Sequence, residues 1–271
     1  AIVRAARQGL EDWAGGQSIH SQGFKPSRIE FIHTLNHSRS GVPVVPRRLL
    51  PLSIKTRLGF DCVVVERWVE HLLAARPAAI TLHGRTLQQM YRGAADWSAI
   101  AEAAKLAHGT GTLMLGNGDL NTLVDAIRRA AESKVQGVLV GRGTLGSPWF
   151  FREKEQARRA FSEWDDLSTL PATAWEPQVS VNHRMQVMLD HARQYEAIAG
   201  LERFRSIRKH LGWYCKGFPH AAAMRGKMFG ASNVQDVERI VAEFCQELMQ
   251  AERDASAPTP LAAQTSSVSA A

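Results

Sequence analysis

The chain has 271 residues, 45% of them hydrophobic, which is enough for one large α/β domain or two smaller domains with a proper core. Its 33 Lys and Arg against 26 Asp and Glu give a formal net charge of +7, which favours a polyanionic partner without establishing one. The three cysteines, Cys62, Cys215 and Cys245, form no CxxC pair, which argues against a disulfide framework or a zinc knuckle. There is no apolar run of about 18 residues and no signal-peptide pattern, so we expect a cytoplasmic protein without a membrane partner.

The first 50 residues show little regular patterning. Val3–Ala6 is predicted to be the end of a helix. Residues 10–50 contain a Gly pair and three prolines and are predicted to be an irregular insertion, with one short segment at Arg28–Ile32.

Four short β-rich runs then alternate with helical patterns, which predicts repeated βα units and parallel strands. The strands are expected at Leu52–Lys55, Ala79–His83, Thr112–Gly116 and Gly137–Val140. Asp61 and Asp96 are candidate N-caps of the helices that follow the first two strands. The pattern predicts an α/β domain over residues 1–155.

The remainder of the chain has no strand pattern. Residues 156–178 are expected to be a linker that contains Pro and Trp, and residues 179–250 have helical periodicity throughout, which predicts an all-α domain. Residues 251–271 are mostly Ala, Ser, Thr and Pro and are expected to be a disordered tail.

Each predicted strand ends in polar or glycine-rich residues. The four groups are Lys55 with Arg57, His83-Gly84-Arg85, Asn117-Gly118-Asp119 and Gly141-Arg142-Gly143. Singly, these groups are also what an ordinary strand-end lysine, a loop histidine, a tight turn and a weak glycine pair look like. Because the carboxyl ends of parallel strands meet at one edge of a sheet, we interpret the four groups together as one site for a phosphate-bearing planar cofactor, namely FMN. Glycine loops and Arg142 suit the phosphate, while Lys55 and His83 suit the polar edge of the flavin ring.

The same segments resemble the bacterial tRNA-dihydrouridine synthases. The matching stretches are Leu52–Gly59, Ile80–Thr86 with Gln89–Tyr91 and Ala95–Trp97, Gly116–Asp119, Val140–Gly143 with Pro148–Trp149, and Arg208–Gly217. The resemblance covers most of residues 51–245.

The resemblance implies the C-terminal half of a (β/α)8 TIM barrel, built from four βα units and followed by a helical tRNA-binding domain. It implies a monomeric oxidoreductase that reduces uridine in tRNA to 5,6-dihydrouridine with FMN and NADPH. The expected FMN contacts are Lys55, His83, Asn117, Gly118, Asp119, Gly141 and Arg142. Arg57 and Arg85 are expected near the substrate uridine or its phosphates.

One family feature is missing. The Asn-x-Gly-Cys-Pro loop that carries the family's proton-donating cysteine does not occur in this sequence, so no catalytic residue is expected in the chain. Ala1–Arg7 resembles the helix after that loop, which implies that strands one to four are not in this chain. We therefore expect residues 1–271 alone to bind FMN poorly and to aggregate through open sheet edges.

Positive charge concentrates between Gly200 and Gly230, which contain seven Lys or Arg and one acid. A helix over Leu201–Leu211 is expected to bury a stripe formed by Leu201, Phe204, Ile207 and Leu211. Arg205 and Lys209 are expected on its exposed flank. Arg205, Lys209 and Lys216 are the predicted contacts to the tRNA backbone, against the ordinary alternative of a solvated helix face.

Two other functions fit parts of the sequence. An FMN-barrel oxidoreductase for a small metabolite would account for the strand ends but not for the basic helical region. A non-catalytic RNA-binding remnant would account for the missing cysteine loop.

Overall fold

The computed structural model describes residues 1–40, 47–163, 169–171 and 173–256, and the chain divides into two compact units. The first unit comprises residues 1–144 and 150–176, and the second comprises residues 145–149 and the chain from residue 177 onward. The helices and strands of the first unit are α1 (Ile2–Ala14), α2 (Pro26–Ser40), β1 (Ser53–Arg57), α3 (Val65–Leu73), β2 (Ala79–His83), α4 (Trp97–Ala107), β3 (Leu113–Asn117), α5 (Leu123–Ser133), β4 (Gly137–Leu139) and α6 (Lys154–Glu163).

The four strands form one parallel sheet in the order β1-β2-β3-β4, so the α/β prediction is confirmed. The β2 side chains Ile80 and Leu82 and the β3 side chain Met114 are fully buried, as expected where helices pack against a parallel sheet. The register sets His83 opposite both Arg57 and Asn117, which places the carboxyl ends of three strands side by side.

Local capping explains where the helices of this sheet begin. The Asp96 side chain accepts a hydrogen bond from the Ala99 N–H and caps α4, as predicted. The Thr122 hydroxyl and the Asp125 carboxylate form a capping box that starts α5. The expectation for Asp61 is wrong: its carboxylate accepts from the adjacent Cys62 N–H, and α3 begins four residues later, at Val65, without a side-chain cap.

The N-terminal region is more regular than predicted. The helix expected to end near Ala6 continues to Ala14, and α2 spans Pro26–Ser40, so the irregular-insertion prediction is wrong for most of this stretch. Pro26 occupies the first helical position, where its missing N–H costs no hydrogen bond, and it therefore starts α2 instead of breaking it. The prolines at 43 and 46 lie outside the described residues.

Two boundary predictions also need correction. Helix α6 occupies the first part of the predicted linker, and its Ala157 packs with Leu123 and Phe150 in a small cluster of the first unit. In the second unit the last helix continues to Ser256, so the beginning of the predicted tail is helical, and residues 257–271 lie outside the described part of the chain.

All regular elements described in the second unit are helical. They are α7 (Val181–Ala199), a 3-10 helix (Leu201–Ser206), α8 (Arg208–Tyr214), α9 (Ala221–Gly230) and α10 (Val234–Ser256). Phe204, Ile207 and Leu211 are buried in its core, as expected, but Leu201 is 58% exposed. The single helix predicted over 201–211 is instead two elements, so Arg205 and Lys209 do not share one α-helical face. Within the described residues, the search for a helix with the length and hydropathy of a membrane span found none.

Candidate functional site

A cleft of about 260 Å³ lies at the carboxyl ends of the four strands. All seven residues predicted to contact a cofactor line it, together with five that complete its wall. The twelve lining residues are Lys55, Arg57, His83, Tyr91, Asn117, Gly118, Asp119, Leu120, Asn121, Leu139, Gly141 and Arg142. The structure thus brings groups separated by up to 87 positions in the sequence into one concave surface.

Asn117, at the end of β3, makes hydrogen bonds to residues of β1 and β4 and to the loop after β2. Its Oδ1 accepts from Lys55 Nζ at 3.0 Å, and its Nδ2 donates to the Leu139 carbonyl at 2.8 Å. The Asn117 carbonyl also accepts from the Gly84 N–H at 3.0 Å. Each end of the amide makes one hydrogen bond to these side-chain and backbone partners and has the capacity for a second, so Asn117 can hold Lys55 in position and still contact a ligand.

The charges in the cleft perturb its titratable groups. Burial, together with the positive charges of Arg57, Lys55 and Arg85, lowers the pKa of His83 to about 4, although Asp119 partly opposes this. His83 is therefore a neutral imidazole at pH 7, with one N–H to donate and one nitrogen to accept. Burial and the neighbouring Arg57 also lower the pKa of Lys55.

Asp119 bridges two arginines. Its Oδ2 accepts from Arg85 Nη2 at 2.6 Å and from the Ala95 N–H at 2.7 Å, while its Oδ1 accepts from Arg142 Nη2 at 2.9 Å. Burial acts to raise the pKa of Asp119, but these hydrogen bonds and the two arginine charges outweigh it and lower the pKa. The carboxylate is consequently ionised across the neutral range.

Two glycines let the loops of the cleft approach each other. Gly118 has φ +138°, and a Cβ there would lie 2.5 Å from Ala95 Cβ. A Cβ on Gly143 would lie 2.5 Å from the Leu120 carbonyl oxygen. By contrast, a Cβ on Gly141 would meet no atom within 4 Å, so this position is open for a ligand to approach the backbone.

Arg57 and Arg85, the two arginines expected near the substrate, both donate hydrogen bonds to other groups of the protein. Arg57 donates to the carbonyls of Thr86 and Met90 while it also lines the cleft. Arg85 is only 2% exposed, because its guanidinium is enclosed by protein groups. The structure therefore does not support a direct contact between Arg85 and tRNA. Arg85 pairs with Asp119 and donates to the carbonyls of Gly93 and Arg92.

Tyr91 is a cleft residue to which the sequence reasoning gave no role. It is 64% exposed, and its ring centroid lies 5.0 Å from the guanidinium carbon of Arg142, within cation–π range. The sequence signals for it were its place in a polar loop after a strand that ends in His83 and its inclusion in the family-like stretch Gln89–Tyr91.

No cysteine lines this cleft. Cys62 is exposed in the loop after β1, and burial raises the pKa of the Cys215 thiol to about 11. The part of the chain that the structure describes contains no cluster of three or more His, Cys, Asp or Glu able to hold a metal ion.

A larger groove, of about 750 Å³, lies between α1, β1 and α3. Its wall is mostly apolar, and Lys55 is the one strand-end group that it shares with the cleft. We assign the chemistry to the smaller cleft because convergent polar and charged groups, more than volume, mark a binding site.

In the second unit, Arg205, Lys209 and Lys216 are all exposed, as predicted. Lys216 Nζ donates to the Leu145 carbonyl at 3.0 Å. Other basic residues of this segment support the fold: Arg208 donates to the Ala231 carbonyl and Arg225 to the Cys215 carbonyl. Within the described ranges, Arg205 and Lys209 form no ion pair with a carboxylate.

A parallel βα unit with cations, an imidazole and glycine loops at its strand ends is typical of a phosphate-bearing cofactor site. A family model described as dihydrouridine synthase (Dus) matches residues 38–253. The chain belongs to this family.

Relatives with known names agree with this assignment. A protein named probable tRNA-dihydrouridine synthase 1 from Synechocystis is 34% identical over 189 residues, which cover 69% of this chain and 49% of that protein. Probable tRNA-dihydrouridine synthases from Mycobacterium leprae and Aquifex aeolicus are 33% and 31% identical and cover 66% and 74% of this chain, but only 44% and 58% of their own lengths. The chain thus spans about half the length of the curated relatives it matches.

Proposed function

We propose that this chain carries the flavin-binding and tRNA-binding part of an enzyme that reduces uridine in tRNA to 5,6-dihydrouridine, with NADPH as the reductant. The observation that carries the proposal is the single cleft in which all seven predicted cofactor contacts meet at the ends of four parallel strands. Family membership supports the reaction, because the relatives that match this chain bear the name tRNA-dihydrouridine synthase.

We further propose that the four strands are the C-terminal half of a (β/α)8 barrel. Their uninterrupted parallel order supports this, since each strand is followed by a helix or helical turn and neighbours its successor in sequence. The match covers 49% of one relative and 44% of another, which leaves room in those proteins for further strands of a barrel.

FMN fits the groups that the cleft presents. Arg142 and the open backbone at Gly141 suit the phosphate, because a guanidinium supplies several donors and a glycine allows close approach. Lys55, held by Asn117, and the neutral His83 suit the polar edge of the ring. When bound, FMN supplies the hydride that reduces the C5=C6 bond of uridine.

The chain's own residues prepare this chemistry electrostatically. Lys55, Arg57 and Arg142 make the cleft positive, which favours an anionic ligand and a negatively charged reduced ring. His83 remains neutral beside them, because burial disfavours its charged form and the charges of Arg57 and Lys55 would repel it. None of the three cysteines is among the residues that line the cleft.

Cofactor binding is tested by titrating the purified chain with FMN and following flavin fluorescence. Lys55→Met and Arg142→Met are expected to weaken binding by about tenfold each, the loss of roughly one charge-assisted hydrogen bond. Arg158→Met is the matched control, since Arg158 is 78% exposed and pairs with Glu155 on the surface of α6. Equal affinity in all four proteins would contradict the assignment of the cleft.

We propose that tRNA binds across the exposed cations of the second unit. Arg205→Gln, Lys209→Gln and Lys216→Gln combined should weaken tRNA binding and reduce the slope of log K against log salt by about 2. The control is the triple variant Arg193→Gln, Lys227→Gln and Arg239→Gln, which removes the same charge from residues that are ion-paired in the same unit. Equal slopes for the two triple variants would exclude this surface.

The same two binding assays on the unmodified chain distinguish the alternative functions. Flavin binding without tRNA affinity would favour a small-metabolite oxidoreductase. Binding of tRNA without flavin binding would favour a non-catalytic RNA-binding protein.

A further inference from the structure

Arg85 is a buried cation in the first unit, and its burial needs a physical explanation. Its guanidinium is 98% removed from solvent and lies behind the cleft, outside the lining residues. Burying a charge is unfavourable unless partners compensate for the lost water. Asp119 is the carboxylate that pairs with it, at 2.6 Å.

Asp119 links Arg85 to Arg142, which lines the cleft. One carboxylate oxygen faces Arg85, and the other accepts from Arg142, whose side chain is 57% exposed. The Ala95 N–H donates to the same oxygen as Arg85, so the buried side of the carboxylate is fixed by two donors. The result is an ordered row of Arg85, Asp119 and Arg142 that runs from the interior of the fold to the cleft.

We propose that Arg85 is a positioning residue that prepares Arg142 to bind the phosphate group of the cofactor, acting through Asp119. The inference rests on the proposed function, because it concerns the phosphate end of the same flavin site. This role differs from the expectation that Arg85 lies near the substrate uridine or its phosphates.

Two physical effects support this role. First, a free arginine side chain has about 2 kcal/mol of rotamer entropy to lose on binding, and anchoring one edge of Arg142 removes part of that cost before the ligand arrives. Second, the Asp119 charge alone would cancel that of Arg142 and repel a phosphate. With Arg85 included, the row carries a net charge of +1.

Arg142 keeps donors for a ligand in this arrangement. A guanidinium has five N–H groups, and the carboxylate of Asp119 accepts from its Nη2. The Tyr91 ring lies against the guanidinium at 5.0 Å and restricts its movement further. A phosphate can therefore bind to the other donors while the pair with Asp119 stays intact.

The test compares FMN with riboflavin, which has the same ring but no phosphate. We define the phosphate preference as the ratio of the riboflavin Kd to the FMN Kd, measured on the full chain. Arg85→Met should lower this preference about tenfold, and riboflavin affinity should change little. Arg85→Lys should restore part of it, because an ammonium supplies the charge but not the planar guanidinium whose Nη2 donates to Asp119 and Gly93 and whose Nε donates to Arg92. Arg158→Met should leave the preference unchanged.

A double-mutant comparison separates positioning from general damage. If Arg85 acts through Arg142, the double variant Arg85→Met, Arg142→Met should have the same phosphate preference as Arg142→Met alone. Arg85→Gln provides a second route if Arg85→Met fails to fold: its amide can still donate a hydrogen bond but carries no charge, and it should lower the preference while the far-ultraviolet circular dichroism stays unchanged.

The outcomes distinguish the two proposals. A wild-type chain with no phosphate preference overturns the proposed flavin site and this inference with it. A wild-type preference that survives in Arg85→Met, or in Arg85→Gln where Arg85→Met does not fold, overturns only the role of Arg85. A parallel loss of FMN and riboflavin affinity, with the ratio unchanged, also overturns it, since that result shows a purely structural ion pair.

Discussion

The substitution Gly118→Ala is expected to destabilise the fold at the cleft without touching any charged group. Gly118 has φ +138°, a conformation that essentially only glycine adopts, and holding another residue there costs about 1–3 kcal/mol. The new methyl group would lie 2.5 Å from Ala95 Cβ, and overpacking of this kind adds about 1–3 kcal/mol. The free energy of unfolding should therefore fall by about 2–6 kcal/mol, a large part of a typical domain's stability.

Gly141→Ala is the matched control in the same cleft. Its φ is not positive and its Cβ would meet no atom within 4 Å, so its stability should stay within about 1 kcal/mol of the unmodified chain. The assay is urea unfolding followed by circular dichroism, with FMN titration of both variants. Gly118→Ala with unchanged stability would refute the reasoning, as would a loss of stability in Gly141→Ala. Weaker FMN binding by a stable Gly141→Ala variant is the result expected if the phosphate approaches this backbone.

Two further predictions concern titration and helix capping. The ring protons of His83 in the ligand-free chain should titrate near pH 4 by NMR instead of near the ordinary 6.5. The unfolded chain takes up this proton below pH 6.5, whereas the folded chain does not until about pH 4. The free energy of unfolding should therefore decrease as the pH is lowered from 6.5 to about 4. His83→Gln should remove that part of the slope, and an unchanged slope would contradict the lowered pKa. Asp96→Ala should cost about 1 kcal/mol through loss of the α4 cap, while Asp61→Ala, which removes no cap, should cost clearly less; equal losses would contradict the capping assignment.

The sequence predicted the sheet well, because its strands are short and apolar at the positions that pack against helices, most clearly in β2. Ala79–His83 was located to the residue, since Ile80 and Leu82 must be apolar on a strand covered by helices. Asp96 was recognised as a cap because a side-chain oxygen two or three residues before a helical N–H is a local interaction. Such features depend on neighbours in the chain and can be inferred from it.

The errors arose where the outcome depends on contacts distant in sequence. A buried arginine such as Arg85 is indistinguishable from an exposed one until Asp119, 34 residues later, is placed beside it. The hydrogen bonds of Asn117 to Lys55 and Leu139 also join residues of different strands, so the sequence did not reveal them. The break between Ser206 and Arg208 also escaped detection, because Phe204, Ile207 and Leu211 keep a helical spacing across it.

The most direct test of the central claim is to map where FMN binds on the 271-residue chain. We expect backbone amide NMR signals to shift on addition of FMN at residues 117–119 and 141–143, and inorganic phosphate to shift the second group alone. This experiment detects weak binding, so it remains informative even if the chain binds the cofactor poorly. Shifts confined to the groove between α1, β1 and α3, or no shifts at millimolar FMN, would contradict the assignment of the flavin site to the ends of the four strands.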